Sequence, residues 1–240
     1  MGIVAAKSVN TVTHEAGVCM SDISPKDHLE DWYYGERLRM VEKQIEKREI
    51  HDQHVLEAVR KVPRHLFVPE QYRDQAYEDH PVGIGEGQTI SQPYIVALMT
   101  ELLHLPLKAK VLEVGTGSGY QTAVLAEMAD AVYTIEIISK LVGRAKEILK
   151  KLNYINVFAK EGDGYLGWPE EAPFDGIIVT AAPPNIPESL VQQLKEGGRL
   201  VIPVGYHSNQ NLYVVQKVGG EISKKEIIPV SFVPMVRRTG

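Results

Sequence analysis

The sequence predicts an α/β protein built on a doubly wound, mainly parallel seven-stranded sheet with helices on both faces, behind an N-terminal helical segment. Three observations predict it. From Lys110 onward short apolar runs alternate with helical patterns, as in parallel strands joined by crossover helices. The stretch VLEVGTGSGYQTAVLA, Val111 to Ala126, reads as a buried strand running into a glycine-rich turn and then a helix. Two later β-rich pieces, Leu212 to Val218 and Ile227 to Val233, are joined through Gly219 and Gly220 and add antiparallel strands.

In chain order, residues 1–30 mix polar, small and charged types without a period and are expected to form a mobile extension. Residues 31–240 are expected to form a single domain, with 31–109 a helical cover and a loop for substrate and cofactor, and 110–240 the α/β core. Leu38, Val41 and Ile45 share one face of a first helix; Val55, Leu56, Val59 and Val62 share one face of a second, begun near Asp52. A glycine-punctuated loop at Gly83, Gly85 and Gly87 follows. Ser91 or a neighbour then caps a helix that Pro93 starts, through Ala97, Met99 and Leu103. The parallel strands are expected at Val111 to Val114, Val132 to Ile135, Val157 to Ala159, Ile177 to Thr180 and Leu200 to Val204.

The glycine turn is a cofactor site. Gly115, Gly117 and Gly119 remove the Cβ atoms that would keep a ligand from the backbone, and the helix after them points free N–H groups into the crevice. A phosphate-cradling loop would end in Gly-Lys-Ser/Thr, and no lysine is present here. The dinucleotide fingerprint would place a third glycine where Tyr120 stands.

The same stretch resembles the first motif of methyltransferases that use S-adenosylmethionine, in which an acidic residue stands just before the glycines, as Glu113 does. YTIEI, Tyr133 to Ile137, ends a second strand in Glu136, where an acidic side chain can accept hydrogen bonds from ribose hydroxyls. Asp163 then lies between two glycines ahead of a further buried strand, Phe174 to Thr180. Three segments narrow the likeness: GEGQTISQPYIVALM, GDGYLGWPEEAPFDGIIVTAAPP and IIPVSFVPMVR resemble the protein-L-isoaspartate O-methyltransferase family from about Tyr34 to Arg237. That resemblance implies a Rossmann-like methyltransferase fold. It implies an enzyme that methylates the free α-carboxylate of isoaspartyl residues in damaged proteins, after which the ester collapses to a succinimide that can reopen as aspartate. It assigns the catalytic position to Ser91 and implies that Asp163, with Gly164 beside it, contacts the adenine amino group. Glu113 is expected to hold the methionine part of the cofactor or to order the turn, beside Gly115 and Gly117; Glu136 is placed on the ribose. Gln88, Thr89 and Ile90 sit where the loop lies over the cofactor, and Thr180 ends a parallel strand at the edge where ligands gather. Bland uses compete: Ser91 as a helix cap, Asp163 as a turn residue, Thr180 as a β-branched strand residue.

The chemistry asks for placement more than for a base, because a carboxylate with a pKa of about 4 is already ionised at neutral pH. No metal is expected; His51 and His54 lack a nearby third ligand. Four other readings fit the sequence less well. An adenine methyltransferase would want Asn or Asp before Pro-Pro, but Ala182 precedes Pro183-Pro184, and a cytosine methyltransferase would need a thiol at the site, but the only one is Cys19 in the extension. A small-molecule O-methyltransferase would need a base or metal. A regulatory cofactor-binding module would leave the TISQP and VPM segments without a purpose. With 240 residues, 44% of them hydrophobic, and a net charge of −5, a soluble globular protein is expected that binds neither nucleic acid nor membrane. The lone cysteine and the lack of a sustained apolar leader point to the cytoplasm, and a monomer is expected.

Overall fold

The computed structural model describes residues 25–206 and 209–237. Pro25 opens helix α1 (Pro25–Met40) at a position where its missing N–H costs nothing, so residues 25–30, read from sequence as part of a patternless extension, are helical. Residues 1–24, the rest of that extension, lie outside the described residues. A π turn at Val41–Ile45 and a 3₁₀ turn at Glu46–Arg48 continue α1. The buried line runs through Tyr33, Met40, Val41 and Ile45, while Leu38, expected on that face, is 37% exposed. Met40 and Val41, seven and eight residues after Tyr33, set the buried stripe of α1 and its continuation, and Leu38 falls outside it.

Helix α2 (Gln53–Lys61) starts where the sequence places it, with the Asp52 carboxylate accepting from the His54 N–H at 2.9 Å. The expected loop at Gly83–Gly87 is instead a small antiparallel hairpin of β1 (Val82–Gly85) and β2 (Gln88–Ile90). Its turn residues Glu86 and Gly87 both have positive φ, 52° and 70°, as a tight right-twisting hairpin demands. Helix α3 (Pro93–Leu102) follows, with proline in its first turn.

The core sheet then forms in sequence: β3 (Lys110–Val114), α4 (Tyr120–Ala126), β4 (Ala131–Glu136), α5 (Ser139–Lys151), β5 (Val157–Glu161), β6 (Phe174–Val179), α6 (Glu188–Gln192), β7 (Leu194–Tyr206), β8 (Asn209–Val218) and β9 (Glu221–Val230). The seven strands lie in the order β5-β4-β3-β6-β7-β8-β9. Pairings from β5 to β7 are parallel; those of β8 with β7 and β9 are antiparallel, as the sequence predicts. The last strand begins at Glu221, directly after Gly219–Gly220, six residues before the expected Ile227. Backbone pairing with β8 carries the exposed run Glu221–Glu226, and such a charged edge discourages pairing with another chain.

Alternation along the strands sorts the core into layers. Val111, Val132, Ile178, Val201 and Val214 face Met99 and Leu103 of the α3 segment and Leu125 of α4. Leu112, Val114, Ile177, Val179, Leu200 and Ile202 face the other way, against Leu190 of α6 and Met235. The helical cover packs Ile45, Val55 and Val59 with Tyr120 and Val124 of α4 and Leu141 and Ala145 of α5. From β3 the chain steps outward to β4 and β5, then returns to β6 on the other side, so the carboxyl ends of β3, β4 and β6 surround a topological switch point where ligands bind in open α/β sheets.

Candidate active site

The glycine turn at that switch point is fixed by its neighbours. Gly115 has a φ of 98°, and a Cβ there would collide with Oγ1 of Thr180. Thr180 comes that close because its hydroxyl donates to the Gly115 carbonyl at 2.6 Å and its N–H donates to the Val114 carbonyl at 2.9 Å. Gly164 is similarly confined: a Cβ would run into Cγ1 of Val114. The Gly117 N–H donates to Oε2 of Glu136 at 2.9 Å, and Oε1 of the same carboxylate accepts the Ile138 N–H at 3.0 Å. The donors of the turn are more committed than the sequence suggests, since the Tyr120 N–H, first in α4, is taken by the Ser118 hydroxyl at 3.2 Å. Close packing of α4, which the third glycine of a dinucleotide fingerprint would permit, falls to Gly119 against Ala145.

Gln88, Thr89, Ile90, Ser91, Gly115, Gly117, Glu136, Gly164 and Thr180 all line one cavity of about 910 Å³, counting its open mouth. Asp163 and Glu113 do not line it. The Asp163 carboxylate accepts the Tyr165 N–H at 2.9 Å and caps the short turn Gly164–Leu166, which places Gly164 on the wall. Glu113 is wholly buried on the far side of the turn, where Oε2 accepts from the hydroxyls of Thr122 at 2.5 Å and Thr134 at 2.6 Å. This geometry supports the second of its two expected uses, ordering the turn.

Burial pushes the Glu113 carboxyl up to about 8; the two threonine hydroxyls oppose the shift and the Glu136 carboxylate adds to it. The folded protein therefore holds this proton more tightly than the unfolded chain, whose carboxyl titrates near 4.5. Stability from this group is complete below that value and falls as pH rises from there toward about 8. Glu113→Gln keeps an acceptor for the threonines but cannot ionise. Thermal melts across that window are expected to show the wild type losing stability relative to the variant as pH rises; parallel curves would count against a buried neutral acid.

Several wall residues had no functional reading in the sequence. Gln121 stands on the cavity wall and donates to the Thr100 hydroxyl at 2.9 Å; its one sequence signal is a polar amide in a mainly apolar helix. Val233 to Val236 fold across the cavity. The Val233 carbonyl accepts the Ala182 N–H at 2.8 Å, and the Met235 N–H donates to the Ala182 carbonyl at 2.9 Å. The VPM likeness marked this segment without showing that it forms a wall.

Ser91 is half-buried and lines two cavities at once. The second cleft is bounded by Thr89, Thr180, Ser231 and Val233 with Pro81, Gln92, Ile95 and Phe232. The capping role open to Ser91 is not used: the residue before α3 is Gln92, with no side-chain cap. Instead, the Ser91 carbonyl accepts from Nη2 of Arg64 at 2.8 Å. Arg64 is fully buried, and burial pulls its guanidinium down to about 10, so it is still a cation at neutral pH. Among the described residues, neither cavity is lined by a lysine, arginine or histidine.

A nucleoside joined to an amino acid fits this frame. Gly115, Gly117 and Gly164 put bare backbone on the cavity wall, Glu136 offers an acceptor at the end of β4, and Ile135, Val233 and Met235 add apolar surface. Residues 36–240 match the family model described as protein-L-isoaspartate(D-aspartate) O-methyltransferase (PCMT). Over 204 residues the chain is 54% identical to protein-L-isoaspartate O-methyltransferase 1 of Syntrophobacter fumaroxidans, covering 85% of this chain and 95% of that one. It is 51% identical over 228 residues to the protein-L-isoaspartate O-methyltransferase of a Synechococcus species, covering 92% and 93%. Among solved structures, one from Plasmodium falciparum, assigned as a protein-L-isoaspartate O-methyltransferase and holding S-adenosyl-L-homocysteine, superimposes with a TM-score of 0.74 at 29% identity, covering 86% of this chain and 99% of that one. With a family model that spans most of its length and relatives of this similarity, the chain belongs to the protein-L-isoaspartate(D-aspartate) O-methyltransferase family.

Proposed function

We propose that this protein transfers a methyl group from S-adenosylmethionine to the free α-carboxylate of L-isoaspartyl residues in damaged proteins and peptides, with Ser91 at the junction of donor and acceptor. The observation that carries the placement is that Ser91, Thr89, Thr180 and Val233 line both the glycine-turn cavity and the adjoining cleft. When bound, S-adenosylmethionine supplies an electrophilic methyl carbon on its sulfonium. Glu136 is placed to accept from the ribose hydroxyls, Gly115 and Gly117 to let the methionine portion approach the backbone, and Gly164 with Asp163 behind it to shape the adenine end. Gln88, Thr89 and Ile90 close over the cavity from β2.

The acceptor carboxylate meets the hydroxyls of Thr89, Ser91 and Ser231 in the second cleft, while that of Thr180 is committed to the Gly115 carbonyl. Neutral donors suit the chemistry, because negative charge leaves the attacking oxygen as the ester forms. A cation in direct contact would stabilise the ground state more than the transition state. The lack of a histidine or lysine among the described residues of either wall also suits a nucleophile that arrives already ionised, and it disfavours the deprotonation that a small-molecule hydroxyl substrate would demand. A cleft without basic side chains among the described residues that line it offers little to neutralise phosphates, which supports a peptide acceptor over a nucleic acid. No helix among the described residues is long and apolar enough to cross a membrane.

Incubation with methyl-labelled S-adenosylmethionine and a pair of peptides that differ only in an isoaspartyl or aspartyl linkage tests the reading. Label is expected on the isoaspartyl peptide and almost none on its twin. Equal labelling of the two, or labelling of a catechol or nucleic acid with neither peptide modified, would overturn it.

A further inference from the structure

We infer that Arg64 is a positioning residue for methyl transfer, holding the backbone of Ser91 so that its hydroxyl faces the acceptor carboxylate; the inference rests on the reading of Ser91 given above. Arg64 begins a 3₁₀ turn of the helical cover, Arg64–Phe67, and lines neither cavity. Its side chain reaches three separate parts of the fold. Nε donates to the Ala76 carbonyl at 2.6 Å, Nη2 donates to the Ser91 carbonyl at 2.8 Å, and the guanidinium lies 4.8 Å from the ring centroid of Tyr120.

Burying a guanidinium is costly unless its surroundings compensate, and an apolar side chain could fill the same volume more cheaply. Among the described residues, no carboxylate forms an ion pair with Arg64. What the group adds is a rigid plane of donors, two of which bind carbonyls from different loops, over an aromatic face that favours a cation. Tyr120 is the first residue of α4, directly after the glycine turn, and only 1% exposed. One planar group thus ties the serine between the two cavities to the helix that carries the glycine turn.

The Ser91 carbonyl belongs to the peptide that leads into Gln92 and α3, so fixing that carbonyl fixes the Ser91 backbone from which the hydroxyl projects. No cap bond from a side chain steadies this entry to α3. Positional errors of about 1 Å can cost roughly 100-fold in rate where catalysis depends on alignment, so a loose anchor here should be felt in kcat.

The test is a double-mutant cycle of Arg64→Lys and Ser91→Ala in the full chain. Lysine keeps the charge but cannot bind two carbonyls with the geometry of a planar fork. In the wild-type background, Arg64→Lys is expected to lower kcat about 10-fold, with calorimetric affinity for S-adenosylmethionine and KM for an isoaspartyl peptide close to wild type. In the Ser91→Ala background, the same change is expected to have almost no further effect on kcat, since no hydroxyl remains to be placed. An equal loss in both backgrounds, or no loss in either, overturns the inference about Arg64 while leaving Ser91 its role. Wild-type kinetics in Ser91→Ala overturns the reading of Ser91 itself. If Arg64→Lys does not fold, the unaltered enzyme still decides. Saturated with S-adenosylhomocysteine, it should show the ¹⁵N-bound guanidinium proton signals of Arg64 shifting on addition of the isoaspartyl peptide and not of its aspartyl twin. Signals that stay in place with both peptides overturn the inference.

Discussion

Glu136→Ala is expected to weaken binding of S-adenosylmethionine by about 1.5 to 3 kcal/mol, roughly 10- to 150-fold, because hydrogen bonds to a charged acceptor are stronger than neutral ones. Two losses add. The ribose hydroxyls lose their acceptor, and the Gly117 and Ile138 N–H groups, held by the two oxygens of this one carboxylate, lose theirs, so the glycine turn is no longer fastened to the end of β4. Glu136→Gln separates the contributions, since its single carbonyl oxygen can still take one backbone donor but carries no charge. Isothermal calorimetry of the folded variants measures the effect, and an unchanged affinity in Glu136→Ala would refute the role. Turnover at saturating cofactor should suffer far less than binding, because Glu136 lines the glycine-turn cavity and not the second cleft.

The central architecture was legible because its signals are local. The apolar runs of β3, β4 and β6 and the glycines after Val114 each lie within a few residues, and together they locate the switch point. The sequence marks Gly115 as a place where a ligand can near the backbone; the group that requires its missing Cβ in the fold is Thr180, at the end of β6. The position of Glu113 off the cavity wall follows from strand parity. Val114 turns its side chain to the layer of Leu112 and Met235, whereas Glu113 falls on the opposite face, that of Val111, where α4 presents Thr122. Adjacency to the glycines therefore did not make Glu113 a wall residue. What lay beyond the sequence was long-range: the contact of Arg64 with Ser91 and Ala76, and the docking of Val233 to Met235 on Ala182, have no periodic pattern to announce them. The hairpin Val82 to Ile90 was read as loop because its strands are too short to show alternation.

The reaction's dependence on Ser91 is the sharpest test of how this site works. Ser91→Ala is expected to lower kcat by a factor on the order of 10 to 10³, with little change in affinity for S-adenosylmethionine, because the variant loses alignment of the acceptor and not an obligatory proton transfer. The structure makes this reading narrower than the sequence could. The hydroxyl is not spent on capping α3, and Ser91 lines both cavities. Its neighbours on the acceptor side include Thr89 and Ser231, and no histidine among the described residues lines either wall. The wild-type rate should accordingly stay level as pH falls, until the substrate carboxylate begins to protonate near its pKa of about 4, as long as the fold survives. A rate falling instead with an apparent pKa of about 6.5, abolished by replacing one histidine, would reveal a general base and overturn the account. Because the remaining hydroxyls can still hold the carboxylate, Ser91→Ala should retain measurable turnover with the same pH profile as the wild type. Loss of activity together with a new dependence on pH would mean that the serine hydroxyl moves a proton after all.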